Sequence, residues 1–180
     1  AAELERWRAE NRQILHFDAS AAGRVIEVFG DLETATNIGV VVPGITNDRW
    51  NFSDGDGGFR GNARNLHDRS VELGIDNVAI IAWLGYDTPD GADAVLRRAA
   101  VAGHDDLIDF VTGMDSMSGR RHIAVIGHSY GSLVTGMAAG VGLEANEVVF
   151  VGSPGTSLNH ADDAILKPGG SVWAGLAHAD

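Results

Sequence analysis

Short, continuous apolar runs separated by amphipathic stretches dominate the hydrophobic pattern of this chain. Four such runs cover residues 37–42, 78–83, 122–126 and 147–152. Continuous runs of this length are typical of parallel strands that are buried on both faces. Residues 24–29 predict a further strand near a sheet edge, and residues 171–177 predict the last strand.

The intervening stretches have helical periodicity. They predict helices over residues 2–15, 59–73, about 92–117 (broken around Gly103) and after the turn at 127–131. The inward positions of the second helix are predicted to be Ala63, Leu66, Val71 and Leu73, and Leu133, Met137 and Val141 form the stripe of the last one, with Val134 and Ala138 beside it. Gly136 and Gly140 are expected to let that helix approach the sheet closely.

Strands that alternate with helices indicate an α/β fold, a three-layer sandwich with a mostly parallel central sheet and right-handed crossovers. We expect residues 1–22 to be an N-terminal helical segment or connector and residues 23–180 to be a single domain.

Charge and composition narrow the classes of partner. The net charge is −12, so no basic patch is available for nucleic acid or an anionic membrane surface. There is no cysteine, and no apolar run is long enough to span a bilayer. The compartment and the oligomeric state are not determined by these features.

The motif Gly-His-Ser-Tyr-Gly at residues 127–131 lies between an apolar run and an amphipathic helix. A strand, a sharp turn and a helix around G-x-S-x-G form a nucleophile elbow, which makes Ser129 the candidate nucleophile. The alternative is an ordinary glycine-rich turn. Serine catalysis also needs two N–H donors for the oxyanion. We assign these to Tyr130 and, in the loop after residues 37–42, to Ile45, although Pro43-Gly44 could equally be a plain strand-ending turn.

Several segments, in this order, resemble a family of bacterial α/β-hydrolases of unassigned function. They are residues 41–44 (VVPG), 61–64 (GNAR), 82–89 (AWLGYDTP), 127–132 (GHSYGS), 151–155 (VGSPG) and 172–174 (VWA). The resemblance implies the α/β-hydrolase fold, a serine-hydrolase site and an acid after the strand that contains Val172 and Trp173. It implies no particular substrate.

The acid of the catalytic triad follows the serine in chain order, and Asp180 is the candidate. Asp162 and Asp163 are the alternatives, because a terminal aspartate is often only part of a frayed end. None of the seven histidines occupies the position of the base. His160 and His178 are substitutes, and we expect that the last strand and the catalytic histidine are missing from this chain.

Tyr86 and Asp87 are candidate pocket residues, and the alternative is an Asp-Thr-Pro turn with an N-cap. The predicted function is that of a serine hydrolase acting on small-molecule or lipid carboxylic esters, with no metal and no organic cofactor. The Asp- and Gly-rich residues 54–58 are interpreted as a solvated loop, and metal binding is the minor alternative. The other candidate functions are an acyltransferase that uses the same site and a non-catalytic binding or assembly module.

Overall fold

The computed structural model describes residues 2–53, 55, 57–89, 93–117 and 119–176, and a mostly parallel sheet forms its centre. Within these residues, seven strands are ordered β1-β2-β4-β3-β5-β6-β7. Their bounds are β1 Gln13–Asp18, β2 Arg24–Phe29, β3 Asn37–Val42, β4 Val78–Leu84, β5 His122–His128, β6 Glu147–Val151 and β7 Ser171–Gly175. β3 to β7 are parallel, and β2 pairs antiparallel with both β1 and β4.

Helices cover both faces of the sheet. They are α1 Ala2–Ala9, α2 Phe59–Glu72, α3 Asp93–Asp115 and α4 Gly131–Val141. On β3, Val40 and Val42 belong to the same buried cluster as residues of α3 and α4. Val41, between them, belongs to the cluster that contains Trp7 of α1 and Ala63 of α2. Because successive strand side chains point to opposite faces, the two clusters confirm the predicted three-layer α/β arrangement.

The prediction of one helix over residues 2–15 is wrong. α1 ends at Ala9, Asn11 has a left-handed backbone with φ of 54°, and residues 13–18 form β1, antiparallel to β2. Trp7 is buried at 1% exposure, whereas Leu15 is 46% exposed. Residues 13–18 are therefore part of the sheet, within the segment 1–22 that was expected to be a helical connector.

A buried carboxylate ties this N-terminal segment to the rest of the fold. Glu27 on β2 is 1% exposed. It accepts hydrogen bonds from Arg12 at 2.5 and 3.1 Å and from Arg60 at 2.8 and 2.8 Å. The Arg12 guanidinium also lies 4.2 Å from the centre of the Trp7 ring. A buried charge is tolerated when it is paired and fully hydrogen-bonded, and here the pairing joins the α1–β1 connection, β2 and α2.

The buried faces of two helices differ from the predicted stripes. In α2, Ala63 is fully buried, but Leu66 and Val71 are 36% and 53% exposed, and Leu73, at the C-cap, is 65% exposed. In α4, Val134 and Ala138 are buried, and Val141 is 65% exposed. Val134 and Ala138, which were predicted to lie beside the stripe, are the positions of α4 that belong to the buried core.

α3 is continuous through Gly103, so the predicted break there is wrong. A Cβ atom at Gly103 would lie 2.9 Å from the Tyr86 ring. Glycine at this position lets the helix lie against the aromatic ring, and a close approach of this kind does not require a bend. The glycine is therefore a packing feature and not a helix terminator.

Candidate active site

Ser129 lies at the turn between β5 and α4, at the carboxyl edge of the parallel strands. Its backbone is left-handed, with φ of 51°, a conformation that costs energy for a residue with a side chain. The Ser129 N–H donates to the Val151 carbonyl at 3.0 Å, and the Ser129 carbonyl accepts from the Ser132 N–H at 2.9 Å. The strained turn is therefore held by β6 on one side and by the first turn of α4 on the other.

Both glycines of the motif occupy positions with no room for a side chain. A Cβ at Gly127 would lie 2.8 Å from the Gly131 carbonyl oxygen and from the Ser132 Cα. A Cβ at Gly131 would lie 2.4 Å from the Val42 oxygen and 2.6 Å from the Pro43 oxygen. All of these neighbours are backbone atoms, so the turn can be this tight only with glycine at both positions.

The loop that follows β3 passes directly over the serine. A Cβ at Gly44 would lie 3.0 Å from the Ser129 Cβ and 3.3 Å from the Ser129 Oγ. Ile45 is 38% exposed, and no acceptor in the described part of the chain takes its N–H. The structure thus brings together the two segments that the sequence assigned to the nucleophile and to the second oxyanion donor.

Tyr130 directly follows Ser129 in the chain, and its side chain lies in the core. It is the N-cap residue of α4, with φ of −58° and ψ of −27°, and its side chain is 5% exposed. Burial raises the pKa of the Tyr130 phenol, and a backbone hydrogen bond with Ala100 lowers it. α4 begins at Gly131, so the positive end of its helix dipole lies close to Ser129, where it would favour a developing anion.

The two candidate pocket residues have different positions. Tyr86 is 1% exposed and lies under the loop, where its hydroxyl donates to the Pro43 carbonyl at 2.7 Å. Burial and the neighbouring Tyr130 raise the pKa of Tyr86 above its ordinary value, so the phenol remains a neutral donor. Asp87 is exposed and lies 3.4 Å from Arg24, which also binds Asp106 at 3.0 Å.

α4 approaches a loop, and not the sheet, through its glycines. A Cβ at Gly136 would lie 1.9 Å from the Thr156 carbonyl oxygen, and one at Gly140 would lie 3.3 Å from Leu158. The segment between β6 and β7 is therefore packed directly on the helix that carries the elbow. The predicted close approach is present, but its partner is different from the one predicted.

No histidine in the described ranges hydrogen-bonds to Ser129. His128 is exposed and is positioned beside Gly152, with its Nε2 3.9 Å from the place of a Cβ there. His160 is exposed at the start of a short 3₁₀ turn, Ala161–Asp163. His178, the other substitute, lies outside the described residues.

The three candidates for the catalytic acid differ in their positions and contacts. Asp163 caps the 3₁₀ turn locally, since its carboxylate accepts the N–H groups of Asn159 and His160 at 2.9 Å each. Asp162 is exposed in the same turn. Asp180 lies outside the described residues. β7 ends at Gly175, level with Val151 of β6, so the chain leaves the sheet at the edge that carries Ser129.

Two further observations concern the described residues as a whole. None of their helices is both long enough and apolar enough to cross a membrane. No cluster of three or more His, Asp or Glu side chains is arranged there as a metal site would require. Asp54 and Asp56 of the glycine-rich loop lie outside the described residues.

Sequence comparisons relate this chain to an enzyme superfamily. A family model described as alpha/beta hydrolase matches residues 18–180. An uncharacterized protein of Mycobacterium tuberculosis is 39% identical over 152 residues, which are 80% of this chain and 57% of that protein. A second uncharacterized protein of the same organism is 32% identical over 168 residues, 88% of this chain and 25% of that protein. The chain thus spans about half of one relative and a quarter of the other.

Solved structures share the architecture at low sequence identity. An acetyl xylan esterase has a TM-score of 0.51 at 14% identity, covering 79% of this chain and 83% of the esterase. A protein named m3DLH has a TM-score of 0.56 at 15% identity, covering 91% of this chain and 67% of that protein. At such identities the likeness concerns the fold, and any activity has to be argued from the site.

Proposed function

The chain belongs to the α/β-hydrolase family, and we propose that it is a serine hydrolase that cleaves carboxylic esters through an acyl-enzyme on Ser129. The observation that carries the proposal is the strained Ser129, with φ of 51°, at a turn where neither flanking glycine has room for a side chain. Strain of this kind persists only where the surroundings enforce it, and it is concentrated at functional sites.

In the proposed reaction, the Ser129 Oγ attacks the carbonyl carbon of the ester while its proton passes to a general base. The carbonyl oxygen becomes an oxyanion, which accepts hydrogen bonds from the Tyr130 and Ile45 N–H groups. The tetrahedral intermediate expels the alcohol, which takes the proton from the base. Water then attacks the acyl-enzyme by the same route and releases the carboxylic acid.

Two observations support Ile45 as an oxyanion donor: its loop lies against Ser129, and its N–H has no acceptor among the described residues. The Gly44 backbone is close enough to Ser129 that a Cβ would touch the serine side chain at 3.0 Å. The next residue, Ile45, has an N–H without an acceptor in the described part of the chain. A pre-aimed backbone donor at this position is worth about 10²- to 10³-fold in kcat.

No histidine within the described residues hydrogen-bonds to Ser129, and we therefore place the general base outside them. We include in the proposal that a histidine there takes the Ser129 proton and that Asp180 orients it. His178→Ala in the intact protein tests the nearest source. A loss of kcat of roughly 10⁴-fold identifies His178 as the base, whereas unchanged kcat excludes His178, which is the one histidine of this sequence outside the described residues.

The substrate side of the proposal rests on the surface beside the serine. Ile45 follows Gly44, the loop residue that lies against Ser129, and its side chain is 38% exposed. An apolar side chain at this position favours an acyl or alcohol group with hydrocarbon character, as in a small-molecule or lipid ester. The net charge of −12 makes polyanionic substrates such as nucleic acids unfavourable.

The experiment is labelling of the intact protein by a fluorophosphonate probe, together with hydrolysis of short-chain acyl esters. Ser129→Ala is expected to abolish both. The matched control is Ser157→Ala, because Ser157 is an exposed serine that also has a left-handed backbone, with φ of 65°, but is not on an elbow. The control protein should label and turn over at the wild-type rate.

The results separate the alternative functions. A wild-type protein that does not label is a binding or assembly module built on the hydrolase fold, and the proposal is then wrong. Labelling with slow hydrolysis that accelerates when an alcohol acceptor is added assigns an acyltransferase. Equal labelling of the wild type and Ser129→Ala means that the nucleophile lies elsewhere.

A further inference from the structure

Side-chain amides hold three successive carbonyl groups of the loop above Ser129. The Asn47 Nδ2 donates to the Gly44 oxygen at 3.2 Å and to the Ile45 oxygen at 3.0 Å. The Asn51 Nδ2 donates to the Thr46 oxygen at 2.6 Å. These contacts fix the direction of each peptide group in the stretch that contains the proposed oxyanion donor.

The direction of the Gly44 carbonyl determines the direction of the Ile45 N–H. Both belong to one planar trans peptide, in which the C=O and the N–H point in opposite directions. While Asn47 holds the Gly44 oxygen, the Ile45 N–H is turned away from Asn47. The following N–H, that of Thr46, donates to the Pro89 carbonyl at 3.3 Å, so Ile45 has the N–H left available to a ligand.

Backbone strain at Thr46 and the lack of a side chain at Gly44 are the reasons why this peptide needs a restraint. Thr46 has a left-handed backbone with φ of 61°, which is an outlier for a β-branched residue. Gly44, on the other side of the peptide, has no Cβ to oppose rotation. Rotation of the Gly44–Ile45 peptide would present a carbonyl oxygen, and not an N–H, to the developing oxyanion.

We propose that Asn47 is a positioning residue, whose side-chain amide keeps the Gly44–Ile45 peptide in the orientation that aims the Ile45 N–H at the oxyanion. This inference rests on the proposed function. In this role Asn47 acts through the peptide, since its side-chain amide donates to the Gly44 and Ile45 carbonyls. A second contact keeps Asn47 in place, since its own carbonyl accepts from the Thr88 hydroxyl at 2.5 Å.

The test compares two substitutions with a matched control in the intact protein. Asn47→Asp keeps the shape of the side chain but replaces the donor by an oxygen that repels both carbonyls, and Asn47→Ala removes the side chain. The control is Asn37→Asp, because the Asn37 Nδ2 also donates to a backbone carbonyl, that of Asp76 at 3.2 Å, but at the amino end of β3.

We expect kcat to fall roughly 10- to 100-fold in both Asn47 variants, with KM within about 2-fold of the wild-type value. Affinity for a phenylboronic acid, whose serine adduct places a negative oxygen in the hole, should fall by the same factor as kcat/KM. The melting temperature of Asn47→Asp should stay within roughly 4 °C of that of Asn37→Asp. The control should retain wild-type kcat and boronic acid affinity.

Two results overturn the inference. One is wild-type kcat in both Asn47 variants. The other is a loss of kcat that is accompanied by an equal loss in the control, or by unchanged boronic acid affinity, since a role confined to stability has that signature. Failure of the proposed function is recognised separately, because Ser129→Ala would then retain turnover.

Discussion

Gly131→Ala is expected to destabilise the protein and to disable the site together. The added methyl group would lie 2.4 Å from the Val42 oxygen and 2.6 Å from the Pro43 oxygen. Ordinary contact would require these atoms to move by roughly 1 Å. Both are main-chain atoms at the end of a central strand, so no side-chain rotation can relieve the contact. The displacement would pass to the Pro43–Gly44 segment above Ser129.

The loss of unfolding free energy in Gly131→Ala can be estimated from the cost of overpacking a rigid site. Inserting a methyl group into a fully packed site costs about 1–3 kcal/mol, and backbone neighbours place this case at the upper end. For a domain of this size, 1 kcal/mol corresponds to roughly 2–4 °C in Tm. We therefore expect a fall in Tm of roughly 6–12 °C, measured by thermal and urea unfolding, and a loss of ester hydrolysis.

Gly113→Ala is the matched control. Gly113 lies in α3, and a Cβ there would meet nothing within 4 Å. The same substitution should stabilise the protein by roughly 0.5–1 kcal/mol, because alanine has the higher helix propensity. A Gly131→Ala protein with Tm and activity equal to those of the wild type, or shifted in the same direction as the control, would refute the steric argument and the assignment of an elbow.

Three further predictions follow from single contacts. Ser129→Gly should unfold at higher urea than the equally inactive Ser129→Ala, by about 1 kcal/mol, since only glycine adopts φ of 51° without strain; equal midpoints would contradict this. Glu27→Gln should lose about 3–5 kcal/mol in urea unfolding, because it leaves two arginines without their buried carboxylate, and a loss below about 1 kcal/mol would argue against a buried ion pair. Burial raises the pKa of both tyrosines of the chain, Tyr86 and Tyr130. The neutral phenols therefore contribute their full stability to the fold below pH about 10, the pKa of an unfolded tyrosine. This contribution is lost as the pH rises towards the folded-state pKa values. Tyrosinate absorbance should therefore appear only as the far-UV circular dichroism signal is lost, and its appearance in folded protein at pH about 10 would show that the rings are hydrated.

Most strands and helices of the fold could be predicted from local patterns along the chain. The continuous apolar runs identified β3, β4, β5 and β6 because strands buried on both faces contain few polar positions. Strand β1 was missed, since its six residues follow a charged helix and only pairing with β2 makes them extended. The exposed Leu66 and Val71 show the same limit, because helical periodicity does not record how much of a helix a neighbour covers.

The turn that carries Ser129 could be predicted from the sequence, because the strand, the two glycines and the helix that form it are consecutive in the chain and their steric constraints are local. The neighbours of that turn could not be predicted in this way. Tyr86 bonds to Pro43, 43 residues earlier in the chain, and Gly103 is required by the Tyr86 ring and not by its own helix. Such contacts depend on which elements become neighbours in the folded sheet, and that order is set by packing and crossover geometry between segments that are distant in the chain.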